Sequence, residues 1–125
     1  MSHVLLMASL VLALGTTAAA DDGPVADKSR VCMVQDAVMD KPGIPVERGG
    51  KTYYGCCAMC SEMIAKEPER LTRAQDPVTG ADVDKADALV FGLGRRAYYF
   101  ESESSRARFA KNPALYVSPP DTNPR

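Results

Sequence analysis

The spacing of four cysteines, Cys32, Cys56, Cys57 and Cys60, all in the first half of a 125-residue chain, constrains this sequence more than any other feature. If a helix begins near Cys56, then Cys56 and Cys60 stand at i, i+4 and face the same way, while Cys57 and Cys60 stand at i, i+3. A hairpin between Cys32 and Cys56 returns the first thiol to the start of that helix. Three or four soft sulfurs then converge at a helix N-terminus, where the positive end of the dipole favours thiolates. Soft thiolates select Cu(I), Zn(II) or related ions.

Two other readings compete for the same residues. An even number of cysteines in a small exported chain also fits disulfides, which would make the protein a disulfide-stapled interaction module. Cys57-Ala58-Met59-Cys60 is a C-x-x-C, so a small thiol–disulfide redox protein using Cys57 and Cys60 is the rival from the enzyme class. The βαβ context of a thioredoxin fold is missing.

Export is expected from the first twenty residues. Val4–Leu14 is an apolar run whose one polar residue is Ser9, and Ala18-Ala19-Ala20 follows before Asp21-Asp22. An apolar core of about 7–15 residues ending in an A-x-A site reads as a secretory signal and is too short for a membrane span. The n-region carries no Lys or Arg, only His3. Residues 1–20 are therefore expected to be a signal peptide, leaving a periplasmic or secreted protein with no membrane span after cleavage. Cleavage removes the one histidine, which excludes a His-based triad and any His-containing zinc or blue-copper site. The balance of 15 Lys+Arg against 16 Asp+Glu supplies no electrostatic footprint for nucleic acid. A chain of this length makes one domain or two very small ones and has no room for a deep cleft beside a cofactor domain.

The remainder carries an internal similarity. Placed over Asp76–Lys85, the segment Cys32–Lys41 matches Val34, Ala37, Asp40 and Lys41 to Val78, Ala81, Asp84 and Lys85. One inserted residue later, Tyr53-Tyr54 falls on Tyr98-Tyr99, and Ala65-Lys66-x-Pro68 on Ala110-Lys111-x-Pro113. In each copy a glycine turn separates two strand-like runs: Gly49-Gly50 in the first, Gly92-Leu93-Gly94 in the second. A helical spacing follows, with Met59, Met63 and Ile64 in one copy and Ala107, Phe109 and Ala110 in the other. Pro68 and Pro113 are expected to stop these helices. The fold class is α+β: two tandem β-hairpin–helix units at 31–74 and 75–116, between loose tails at 21–30 and 117–125.

Cys32, the hairpin ending in Tyr53-Tyr54, and Cys56-x3-Cys60 before a helix together resemble the TRASH and YHS group of small metal-binding domains. Asp76-Pro77-Val78-Thr79-Gly80, Arg96–Phe100 and Phe109–Pro113 resemble the YHS version. The resemblance implies metal ligands at Cys32, Cys56 and Cys60, and heavy-metal handling that is often of copper. It implies no role for Cys57, whose position alone makes it a candidate fourth ligand. The second copy departs from the family, with Thr79, Glu101 and Ser105 where thiols are expected.

Plainer roles are assigned to the other conspicuous residues. Met39 and Met63 read as core, since Met fills irregular gaps; Met33 and Met59 adjoin ligand cysteines and stay open between core and thioether ligand. The Tyr pairs read as hairpin core and rim, with Tyr98, Phe100 and Phe109 buried. Glu101, Glu103 and Ser105 read as a charged helix start, and Arg95, Arg96, Arg106 and Arg108 as a solvated face. The expectation is an exported protein holding one soft metal ion, Cu(I) or Zn(II), as chaperone, buffer or sensor. Its implied partner is a metal-transport or metal-acceptor protein, and no catalytic residue is expected.

Overall fold

A computed structural model describes residues 22–117; the apolar segment at 1–20 and residues 118–125 lie outside the described residues. The fold is mixed α+β, as expected. Two hairpins set it. Strands β4 (Ile44–Arg48) and β5 (Lys51–Gly55) pair antiparallel through a two-residue turn at Gly49-Gly50, both with positive φ. Strands β8 (Leu89–Leu93) and β9 (Arg96–Phe100) pair in the same way, but their turn is Gly94-Arg95. The strand thus runs two residues beyond the Phe91 end expected from sequence. Arg95 takes the left-handed conformation (φ 67°) that glycine adopts more readily.

Each hairpin feeds a nine-residue helix, α1 (Ala58–Lys66) and α3 (Glu103–Lys111). The strands and helix of the first unit recur at the same lengths 45 positions later. Each helix buries its third and seventh residues, Cys60 and Ile64 in α1, Ser105 and Phe109 in α3. The prolines do more than stop the helices. Pro68 opens the short helix α2 (Pro68–Leu71) and Pro113 a 3-10 turn (Pro113–Leu115), where a missing N–H costs nothing.

The two units do not stand apart. A five-stranded antiparallel sheet runs in the order β1-β8-β9-β3-β2, with β1 at Gly23–Val25, β2 at Val31–Cys32 and β3 at Ala37–Val38. First-unit strands therefore extend the second unit's hairpin, through the pairing of Ala37 with Arg96. The segment 21–30, expected to be a loose tail, supplies β1, paired with β8 from Gly23↔Gly92 to Val25↔Val90, and a 3-10 turn at Lys28–Arg30 capped by Asp27. A further hairpin, β6 (Arg73–Gln75) and β7 (Asp82–Asp84), links the units. Among the described residues no helix is long and apolar enough to cross a membrane.

One apolar cluster draws on both units: Val31, Met33, Tyr53 and Ile64 pack with Leu71, Val83, Val90, Ala97 and Tyr99. Met33 is thereby a fully buried core residue, while Met59 is 69% exposed. A smaller cluster centres on Phe109, whose ring lies 5.1 Å from those of Tyr98 and Phe100 and 5.5 Å from that of Phe91. Phe100 and Phe109 are buried as expected, whereas Tyr98 is half-buried. Arg106 departs from the solvated face assigned to it: it donates to the Val90 carbonyl at 3.2 Å and pairs with Glu103.

Because Phe109 is fully buried against the rings of Phe91, Tyr98, Phe100 and Tyr116, Phe109→Ala is expected to cost about 3–5 kcal/mol. Urea denaturation monitored by far-UV circular dichroism checks this; a loss below 1 kcal/mol would show that the pocket collapses without penalty.

Candidate metal centre

Three elements carry the cysteines to one point. Cys32 ends β2, Cys56 and Cys57 follow the last residue of β5, and Cys60 lies in the first turn of α1. The Sγ atoms of Cys32, Cys56 and Cys60 all lie within 4.8 Å of one another. Cys60 is the hub, 3.4 Å from Cys56 and 4.0 Å from Cys32. All four cysteines are free thiols. Cys57 stands outside the mutually close set, exposed at the N-cap of α1 with its Sγ 3.7 Å from that of Cys60. Cys32 and Cys60 are buried and Cys56 is exposed, so the cluster has a closed floor and an open rim.

These separations meet a simple test of fit. Thiolates about 2.3 Å from a shared zinc ion stand roughly 3.8 Å apart in a tetrahedron and roughly 4.0 Å apart in a trigonal plane. The sulfurs surround such a centre with little rearrangement. Carboxylates and histidine are absent from the set, so the donor chemistry is soft.

The close approach depends on Gly55. A Cβ there would meet Cys60 Cβ at 2.8 Å and the Ser61 nitrogen at 3.2 Å. Its counterpart in the second hairpin is Phe100, whose side chain is fully buried there. The absence of a side chain lets α1 fold back onto the end of β5, carrying Cys60 to the other sulfurs.

The thiols are held in different protonation environments. Burial tends to raise Cys32, but the backbone N–H groups of Gln35, Val34 and Cys56 are directed at its sulfur and bring it below its ordinary value. Burial raises Cys60. Cys56, which donates toward Cys60 and Cys32, is pushed up to about 12. The N–H of Cys60 lowers Cys57, without closing a side-chain cap hydrogen bond. The cluster thus lowers Cys32 and Cys57 and raises Cys56 and Cys60.

The turn that carries Cys32 is fixed by residues the sequence reading missed. Lys85, 4% exposed, donates to the Met33 carbonyl at 2.7 Å and to Asp36 at 2.8 Å. Tyr99 donates to the same Asp36 oxygen at 2.9 Å. Asp36 itself holds φ at 51°, a conformation Asp tolerates better than most residues. The match of Lys41 to Lys85 was the available signal, but a lysine among aspartates reads as surface until the turn it pins is known.

In the second unit the equivalent position is occupied by Asp76, where the internal alignment places it, and not by Thr79, where the family resemblance expects a thiol. Asp76 is 1% exposed, and its carboxylate accepts from Val78 N, Thr79 N, Glu101 N and the Ser105 hydroxyl. Thr79 contributes its backbone N–H to this cradle. Glu101 stands at the Cys56 position and Ser105 at the Cys60 position, as expected.

Comparison with protein-family models, curated proteins and solved structures finds no match. The geometry therefore carries the functional argument.

Gly55→Ala is expected to destabilise the fold by about 1–3 kcal/mol, the usual cost of overpacking a tight contact. Chemical denaturation of the reduced protein measures it; an unchanged midpoint would show that α1 can move away freely.

Proposed function

We propose that this protein is an exported soft-metal-binding protein of the TRASH/YHS type, which holds one Cu(I) or Zn(II) ion through Cys32, Cys56 and Cys60. The observation that carries the proposal is the mutual proximity of three free thiols drawn from three different elements. Thiols merely filling a core have no reason to converge at one point with a rim open to water. Cys57, 3.7 Å from Cys60, is placed to become a fourth ligand by rotation of an exposed side chain. Three thiolates suit Cu(I) and four suit tetrahedral Zn(II). The exposed rim at Cys56 and Cys57 suits an ion that is passed on to an acceptor protein rather than one locked in for structure.

The rival reading has an observation of its own. An exposed Cys57 with a lowered pKa beside a buried Cys60 is also the arrangement of an attacking and a resolving thiol. In that chemistry Cys57 and Cys60 together pass two electrons to a substrate disulfide and become a disulfide themselves. The two readings disagree about Cys32, which takes no part in a C-x-x-C reaction.

Cys32→Ser is therefore expected to weaken binding at least tenfold, about 1.4 kcal/mol, and the reduced wild type to bind one ion. Competition against a chromophoric chelator, with native mass spectrometry for stoichiometry, makes the measurement. Full affinity in that variant, together with disulfide-reductase turnover that needs Cys57 and Cys60, would transfer the assignment to the redox protein.

A second expectation concerns pH. Cys56 and Cys60 have raised pKa values and carry protons at neutral pH. Coordination requires thiolates, so binding expels at least these two protons, and acidification must oppose it. Affinity should fall by roughly a hundredfold or more per pH unit below neutrality. Calorimetry in buffers of different ionisation enthalpy counts the protons; fewer than two released per ion would contradict the assigned ligand set.

A further inference from the structure

Metal coordination at Cys32, Cys56 and Cys60 has a permanent counterpart in the second unit, and the comparison assigns the ion a mechanical role. Asp76 sits in a cradle made by the N–H groups two and three positions after it and by the N–H of Glu101, just past the end of β9. Cys32 sits in the same cradle: Val34 and Gln35 are two and three positions after it, and Cys56 lies just past the end of β5. In the second unit the buried Ser105 hydroxyl closes the arrangement, bonding Asp76 at 2.6 Å and so tying the start of α3 to the loop between β6 and β7. In the first unit the corresponding pair is Cys60 and Cys32, whose sulfurs stand 4.0 Å apart.

The helix starts differ in the same sense. The Ser102 side chain caps α3 by accepting from Ser105 N, whereas Cys57, its counterpart, makes no side-chain cap hydrogen bond to α1. Thiols are weak donors and acceptors. The first unit thus has the geometry of the second unit's clasp without its strong hydrogen bonds.

We infer that α1 is a metal-dependent clasp: the bound ion fastens it to the β2–β3 turn, doing for the first unit what the Asp76–Ser105 hydrogen bond does permanently for the second. Metal loading then tightens the surface formed by Cys56, Cys57 and Met59 at the start of α1, so an acceptor protein meets a different α1 in the loaded and empty forms. This inference rests on the metal reading above.

Hydrogen–deuterium exchange of the reduced full chain, with and without one equivalent of zinc chloride, tests it. Backbone amides of α1 are expected to exchange at least tenfold more slowly with zinc, while those of α3 stay unchanged. The double variant Cys32→Asp/Cys60→Ser transplants the second unit's pair into the first. It is expected to show slow α1 exchange without metal and no response to zinc. Should the variant lose protection in α3 as well, it has unfolded, and the wild-type comparison alone decides. Native mass spectra of the same samples separate the two failures. Absence of any adduct, with zinc or with Cu(I) supplied to a parallel sample whose exchange is then read instead, removes the metal reading and this inference with it. A bound ion that leaves α1 exchange unchanged overturns the inference alone, as does an α1 already as protected as α3 in the metal-free wild type.

Discussion

The buried ammonium of Lys85 is the constraint on which the arrangement of the cysteines depends. A lysine withdrawn from water destabilises a fold unless oxygen partners replace its hydration. Here the Met33 carbonyl and the Asp36 carboxylate do so, with the Tyr99 ring 5.2 Å away. Lys85 belongs to the second unit, and Met33 and Asp36 to the turn immediately after Cys32. The cost of burying the charge is offset only while that turn holds its shape, so the second unit fixes the position of Cys32 in the first. Removing one partner of such a pair leaves an uncompensated charge, which is why the network favours one geometry over its neighbours.

The same exchange between halves appears in the tyrosines. Tyr53 of the first hairpin donates to Asp84, beside Lys85, and Tyr99 of the second donates to Asp36. Lys51 adds an ion pair to Asp84 at 3.2 Å. Each half thus satisfies a buried or half-buried phenol on an aspartate of the other, and the shared apolar cluster lies between these contacts. A thiol cluster on a segment this short would otherwise rest on one isolated hairpin and helix, which is near the lower limit for independent stability.

Much of this was legible from the residues, for identifiable reasons. Gly49-Gly50 between alternating runs marks a hairpin because both positions take positive φ. Cys60 lies in the first turn of α1, as its spacing suggests, but Cys56 precedes the extended N-cap Cys57, so these two sulfurs meet through the turn at the end of β5 and not through the helical i, i+4 spacing expected from sequence. What was not legible depends on long-range partners. The 21–30 segment reads as a tail from its Asp and Pro content, yet β1 finds an edge of β8 that only the folded second hairpin offers. Thr79 is expected at the Cys32 position only if the second unit is matched to the thiols of the family pattern. The feature the two units share is a backbone cradle for a negative side chain, and Asp76 and Cys32 fill it with different chemistry.

That difference in chemistry separates the two units. A carboxylate offers about four lone-pair sites, and each Asp76 oxygen already accepts two donors. The group is saturated, and burial alone would raise its pKa, but the Ser105 hydroxyl and the Glu101, Val78 and Thr79 N–H groups hold it below the ordinary carboxylate range. It keeps its charge without a cation and has no capacity left for one. Sulfur in the same cradle behaves otherwise. Sulfur is larger and more polarisable, its hydrogen bonds are weaker, and two further thiols stand beside it, all three sulfurs within 4.8 Å of one another. One backbone design therefore yields a closed polar joint where oxygen occupies it and a cluster of close thiols, near enough together to hold a metal ion, where sulfur does.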